Sequence, residues 1–312
     1  MRIALLLLAA ALPVRAGDAP APAATGQPFA FAVATDPHND VDAFREVMRE
    51  VRDLPARDPK LPPGEFVLVA GDLHALEKIY AAYQDVFKGS PSMKAFLPMT
   101  GDHATEPLRA FMSRGILAAV PQARLPDPAV ISYTFDWRNV RVIATDPNHP
   151  LHGAKRFLNE NGCRWVEEAI RSAPPVVEHI FIGIHEPPFP RNRHLSEMND
   201  EKRPLRDAFW NMLLKYRSRV RAVFTGHTHY LETMRVADPA GAAANDPKQY
   251  PVETGGIWQI GAGASGARAD FLSFVQVQVE GGAVRFAAYA REGKADGFRV
   301  VKYGSLTDEP PR

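Results

Sequence analysis

Short apolar runs alternate with amphipathic stretches along most of the chain, and each apolar run ends in a knot of polar residues. Residues 29–35 read as a strand that stops at Asp36-Pro37-His38, and the apolar spacing over 41–52 predicts a helix face. The pattern then repeats twice. A strand over 66–70 stops at Gly71-Asp72-Leu73-His74 before a helix over 75–87. A strand over 94–99 stops at Gly101-Asp102-His103 before a helix over 106–117, where Pro107 suits a first turn. Three strand-to-helix units in succession predict a parallel sheet.

Alternation over 130–136 and 140–145, around Trp137-Arg138-Asn139, predicts a hairpin, followed by a helix over 162–172. A strand over 179–184 stops at His185, a helix covers 203–216, and a strand over 220–224 stops at Gly226-His227-Thr228-His229. The remainder changes character. Residues 257–260, 271–279 and 284–290 are strand-like with a Gly281-Gly282 turn and no long helix, which predicts antiparallel strands finishing the fold. The Ala-, Gly-, Asn- and Pro-rich stretch 237–254 reads as a surface excursion.

At the amino terminus, Met1-Arg2 leads into the apolar run 3–12, and Val14 and Ala16 then offer the small residues that a signal peptidase reads. This predicts a signal peptide over 1–16, a flexible leader over 17–28, one domain over 29–305 and a tail over 306–312. The protein is expected to be exported, periplasmic or secreted. The apolar run is about half the ~20 residues a membrane helix needs, and the single cysteine, Cys163, is far from any cleavage site, so no membrane anchor is expected. With 37 basic and 36 acidic residues the chain carries a net charge of +1, which gives no support to nucleic acid as a partner.

Ligands gather beyond the carboxyl ends of parallel strands, so five polar knots at five strand ends are one candidate site. They supply three carboxylates and four imidazoles, from Asp36, His38, Asp72, Asp102, His185, His227 and His229. This mixed oxygen and nitrogen set suits two transition-metal ions, Zn, Mn, Fe or Co, better than Ca or Mg. Two ions about 3.5–4 Å apart would use the whole set, clamp a phosphoryl oxygen and deprotonate a bridging water. Taken singly, each aspartate could instead be a helix N-cap and each histidine ordinary strand-end packing.

The series Asp36-x-His38, Gly71-Asp72, Gly101-Asp102-His103, His185 and Gly226-His227-x-His229 resembles the calcineurin-like metallophosphoesterase family over nearly the whole mature chain. The resemblance implies an α/β protein, a four-layer α/β/β/α sandwich with two mixed β-sheets. It implies Asp36, His38 and His229 around a first metal, Asp102, His185 and His227 around a second, Asp72 bridging both, and His103 as the acid. A bridging hydroxide would then cleave a phosphate mono- or diester of a small phosphorylated substrate. An imidazole near neutral pKa suits protonation of the leaving alkoxide at His103. The alternatives are a non-catalytic metal-binding relative, and a nucleotide phosphodiesterase or nuclease of the same fold.

Two departures from the family pattern matter. Asp102 stands where the family usually has asparagine, so three carboxylates and a hydroxide would offset two divalent ions completely. The expectation is a more highly charged ion at one position, or tighter metal binding at some expense of rate. Ala75 stands where the family often has a polar ligand, so the tyrosinate of purple acid phosphatases is missing. His74 is either a substrate contact or a local hydrogen-bond partner. His149, His152, His179 and His194 read as surface or loop residues, and Arg191-Asn192-Arg193-His194 as a solvated basic cluster in which His194 alone hints at phosphate contact.

Overall fold

The computed structural model describes residues 27–307 apart from 155, 199–200, 245–247, 269 and 294–295. The expected signal peptide, nearly all of the leader and most of the tail lie outside the described residues. Three strand-to-helix units open the fold as β1 (Phe29–Ala34), α1 (Val41–Arg57), β2 (Gly64–Val69), α2 (Leu76–Val86), β3 (Ala95–Pro98) and α3 (Glu106–Ala110). Their strands are parallel, and β1, β2 and β3 are buried on both faces, which is why their sequences are almost continuously apolar.

The chain continues through β4 (Ala123–Arg124), β5 (Tyr133–Trp137), β6 (Val140–Ala144), β7 (Gly153–Ala154), β8 (Phe157–Leu158), α4 (Glu160–Arg171), β9 (His179–Gly183) and α5 (Arg203–Lys215). It ends with β10 (Val220–Thr225), β11 (Leu231–Val236), α6 (Pro239–Ala244), β12 (Ile257–Ala262), β13 (Phe271–Glu280), β14 (Ala283–Glu292) and β15 (Arg299–Ser305). One sheet runs β15-β14-β13-β1-β2-β3 and a second runs β11-β12-β10-β9-β6-β5-β4. Both are mixed.

Period-two alternation assigns the two faces of the second sheet. Phe181, Ala222 and Phe224 point into the core shared with the first sheet, whereas Ile180, Ile182 and Val223 pack under α4 and α5 with Val166, Ile170, Phe209 and Leu213. Across the shared core Phe31 stacks on Phe66 at 4.6 Å and meets Phe181 edge-on at 5.1 Å. Helices α1 and α2 pack on each other, α1 also against β13, and complete the outer layer on the first sheet, giving the four layers of the expected sandwich.

Three local expectations are corrected. The helix expected over 106–117 is α-helical only to Ala110, then widens into a π turn over Phe111–Ile116 that buries Met112 and Ile116. Residues 231–236 form an unanticipated edge strand, because Glu232 and Arg235 interrupt its apolar alternation. That strand pairs antiparallel with β12, which itself runs parallel to β10 rather than antiparallel like the strands after it. Within the 237–254 excursion, α6 buries Ala242 against the outer layer of the second sheet. Among the described residues no helix is long and apolar enough to cross a membrane.

Candidate metal centre

Each polar knot leaves the carboxyl end of a strand: Asp36 and His38 after β1, Asp72 after β2, Asp102 after β3, His185 after β9, and His227 and His229 after β10. The three aspartates are not helix caps. Asp40 caps α1 by accepting from the Ala43 N–H at 3.0 Å, while Ala75 and Thr105 occupy the cap positions of α2 and α3. Asp36, His38, Asp72, His227 and His229 all have left-handed backbone, with φ between 49° and 68°. Such strain in non-glycine residues costs about 1–3 kcal/mol each and clusters where a fold holds side chains for function.

Close approach sets two of the glycines. A Cβ on Gly71, whose φ is +100°, would lie 2.1 Å from His185 Nδ1, and one on Gly101 would lie 2.2 Å from Asp72 Oδ1. The Gly-Asp pairs of the sequence thus exist because the next ligand packs against the bare backbone.

The seven side chains fall into two groups, Asp36, His38, Asp72 and His229 in one and Asp102, His185 and His227 in the other, while Asp72 also clusters with His74 and His103. Asp36 Oδ1 lies 3.4 Å from His229 Nε2, and His38 Nε2 lies 3.2 Å from His229 Nε2 and 3.4 Å from Asp72 Oδ2. The other Asp72 oxygen, Oδ1, lies 3.4 Å from His185 Nε2. Asp102 Oδ1 lies 3.5 Å from His185 Nε2 and 3.4 Å from His227 Nδ1. The two oxygens of Asp72 thus face one group each. The resemblance implied metal sites from these same groups of residues, with Asp72 between them.

Neighbouring groups hold these side chains. Asp36 Oδ2 accepts from Thr35 Oγ1 at 2.6 Å and from the His227 N–H at 3.0 Å. His185 Nδ1 donates to the Ala70 carbonyl at 2.7 Å, which leaves the Nε2 lone pair turned to Asp72 and Asp102. Asp72 Oδ1, Asp102 Oδ1 and His185 Nε2 are all buried without a hydrogen-bond partner. Buried polar atoms without partners are costly, and a cation beside these three satisfies them together. The donor set and its geometry therefore fit divalent metal ions.

The electrostatics agree. Burial pushes the Asp72 carboxyl up, but His185 draws it down further, to about 2. Burial likewise opposes ionisation of Asp102, and His185 and His227 outweigh it to hold that carboxyl far below the usual carboxylate range. Burial disfavours the His185 cation, yet Asp102 and Asp72 raise its pKa well above the ordinary histidine value. The carboxylates thus favour positive charge between them.

His103 lies at the exposed rim, its side chain 55% exposed and its Nε2 3.8 Å from Asp102 Oδ2. His74 joins it to the centre, with ring centroids 4.7 Å from His103 and 4.5 Å from His38. The His74 Nε2 is buried and has no hydrogen-bond partner, so His74 belongs to the site. Its position two residues after Asp72 on the same strand-end loop was the available signal. A groove of about 300 Å³ opens beside it, lined by His74, Lys78, Thr105, Leu108 and Phe111 among others.

Two residues of the site carried no sequence signal, Arg156 and Glu197. Glu197 Oε2 lies 2.6 Å from His227 Nε2, while its Oε1 accepts from Arg156 Nη1 at 3.0 Å and lies 2.9 Å from His194 Nδ1. Glu197 sits in a short 3-10 turn, Leu195–Met198, and Arg156 in the turn between β7 and β8, segments too short for a period to mark them. The basic cluster is solvated only in part: Asn192 and Arg193 are exposed, with Arg193 Nη1 2.8 Å from His229 Nδ1, whereas Arg191 is buried and donates to the Gln249 and Ala242 carbonyls. His194 packs against the His227 ring at 4.1 Å. His152 and His179 are buried rather than surface residues, bonded to Ser132 Oγ at 2.8 Å and to the Gly281 carbonyl at 2.9 Å, and neither joins the centre.

The chain matches the profile of the calcineurin-like phosphoesterase family over residues 29–231. No curated protein is similar to it at a significant level. Among solved structures, purple acid phosphatase PPD1 from yellow lupin (Lupinus luteus) seeds shares the fold with a TM-score of 0.60 at 13% identity, over 90% of this chain and 54% of that one. The chain thus spans about half the length of the lupin protein. A single mutant of Vps29 from Entamoeba histolytica aligns at 13% identity over 88% of this chain and 98% of that one, with a TM-score of 0.41. Wild-type Vps29 of the same organism, complexed with zinc, aligns at 12% identity over 89% and 99%, with a TM-score of 0.38. These two superpose too loosely to inform the site. With the profile matched over most of its length, and with its polar strand ends gathered at one centre, the chain belongs to the calcineurin-like phosphoesterase family.

Proposed function

We propose that this protein is a metal-dependent phosphoester hydrolase that holds two divalent transition-metal ions and cleaves a phosphate mono- or diester of a small substrate. The observation that carries the reading is Asp72, whose two oxygens face two separate groups of buried donors. Asp36, His38 and His229 would hold one ion, Asp102, His185 and His227 the other, with Asp72 common to both. When bound, such ions supply Lewis acidity toward the phosphoryl oxygens and bring the pKa of a water near neutrality.

The chain's own residues supply the rest. His103 stands at the exposed rim within reach of an ester oxygen beside the centre, and its imidazole delivers the proton that the departing alkoxide needs. His74 and the adjoining groove receive the leaving group, where Lys78 and Thr105 offer polar contacts and Leu108 and Phe111 apolar ones. Net charge near zero and the export signal expected from the sequence of residues 1–16 favour a small ester in an extracytoplasmic compartment over long nucleic acid.

The test is to measure initial rates on a chromogenic phosphate monoester and its diester with the purified protein, before and after chelation and with Mn or Zn restored. Metal-dependent turnover of either ester supports the reading. Stoichiometric metal with no turnover on a broad panel would instead favour a metal-binding relative without catalysis.

A further inference from the structure

Asp102, Arg156, Glu197 and His227 close a ring around one side of the second donor group. Asp102 Oδ1 lies 3.4 Å from His227 Nδ1, and His227 Nε2 lies 2.6 Å from Glu197 Oε2. Glu197 Oε1 then accepts from Arg156 Nη1 at 3.0 Å, and Arg156 Nη2 returns to Asp102 Oδ2 at 3.2 Å. Glu197 Oε1 also meets His194 Nδ1 at 2.9 Å, and the Asp102 oxygen turned inward, Oδ1, is buried without a hydrogen bond.

We infer that Arg156 and Glu197 are positioning residues for the second metal. Arg156 restricts Asp102 to a single ligating oxygen, and Glu197 fixes the His227 tautomer that turns Nδ1 inward. This rests on the two-metal reading above. The amide of an asparagine offers one carbonyl oxygen to a metal, whereas a free carboxylate offers two and more charge. With Oδ2 held by a guanidinium, Asp102 presents only Oδ1, so it fills the place of a neutral one-oxygen ligand despite being an acid. An Nε2–H bonded to a carboxylate leaves Nδ1 as the lone-pair nitrogen and raises its basicity.

The two residues must then shift metal affinity in opposite directions. Losing Arg156 frees the second oxygen of Asp102 and removes a positive charge beside the ion, so the metal is held more tightly. Losing Glu197 removes both a negative charge and the acceptor that orients His227, so the metal is held more loosely. A purely structural role for Arg156 predicts the reverse sign for its own variant, because local disorder loosens a site.

The experiment is a chelator competition with Mn²⁺ on the full-length protein, with thermal melting to confirm that each variant is folded. Arg156→Gln is expected to retain metal roughly tenfold more tightly than the parent chain, and Glu197→Ala to lose about 10–100-fold in affinity. In an Asp102→Asn background, Arg156→Gln is expected to give a clearly smaller gain, since the amide has no second ligating oxygen to free and only the loss of the nearby positive charge remains. Unchanged or weaker Mn²⁺ binding in Arg156→Gln, or an equal gain in the Asp102→Asn background, overturns the inference while leaving the two-metal reading intact. Failure of the parent chain to bind Mn²⁺ or Zn²⁺ overturns both. Should Arg156→Gln melt as unfolded, Arg156→Lys keeps the charge without the two-pronged contact, and it is expected to fall between the parent and the tightened state.

Discussion

His185 sets its Nε2 3.4 Å from Asp72 Oδ1, with both atoms buried and neither hydrogen-bonded. The two residues come from different sheets, β9 and β2, so the contact ties the sheets together at the carboxyl ends of their strands. Its geometry depends on Gly71, over whose bare Cα the His185 ring lies.

Gly71→Ala is therefore expected to displace His185. The new Cβ would stand 2.1 Å from the ring nitrogen at a backbone φ of +100°, and relief of that contact should cost about 1–3 kcal/mol. Denaturant unfolding together with metal content checks this, and a variant with parental stability and parental metal would contradict it.

His103→Ala should separate metal holding from turnover. The side chain is exposed and is not one of the seven proposed ligands, although it clusters with Asp72 and His74, so bound metal should be retained. The rate on an ester with a poor leaving group should fall by about 10²–10⁴-fold, and by less on one that departs without protonation. Comparing an alkyl with a nitrophenyl ester measures the difference.

Asp146 looks in sequence like an echo of the Asp36 knot, yet its work is structural. It is fully buried, accepts from Thr100 Oγ1 at 2.8 Å and from the Ile131 N–H at 3.2 Å, and pairs with Arg109 of α3. Arg109→Met leaves that carboxylate buried and short of its cation, which should cost about 3–5 kcal/mol. Metal content of the folded protein should be unchanged, as the pair lies outside the donor groups.

Glu232 should make stability depend on pH. Burial pushes its carboxyl from an ordinary 4.5 up to about 8, outweighing the hydrogen bond from Asn192. The folded state therefore prefers the neutral acid. Stability from this group is full below pH 4.5 and is lost as pH rises through about 8. The gap between 4.5 and about 8 is worth at most about 5 kcal/mol. Unfolding free energies measured across that range should flatten in Glu232→Gln, and an equal slope in the variant would show that other groups are responsible.

The strand ends were legible because each functional knot interrupts a run of apolar residues, and such interruptions recur after β1, β2, β3, β9 and β10. Helix α1 was legible from its apolar spacing, and its buried face of Phe44, Val47, Met48 and Val51 follows that spacing. The same logic missed β11, where the buried Glu232 and the partly exposed Arg235 break the apolar run. It also missed Arg156 and Glu197, since a hairpin turn and a single 3-10 turn reach the centre through three-dimensional folding that leaves no periodic trace. His74 lay between these cases, adjacent in sequence to a ligand yet assignable only once its ring was seen between His38 and His103.

The central claim is that seven side chains surround two ions with Asp72 between them. An anomalous difference map from crystals grown with Mn²⁺ tests it most directly. The account predicts two peaks about 3.5–4 Å apart, one beside Asp36, His38 and His229 and the other beside Asp102, His185 and His227, each next to one oxygen of Asp72. A map with no peak at these side chains, or with a single peak away from Asp72, would contradict it.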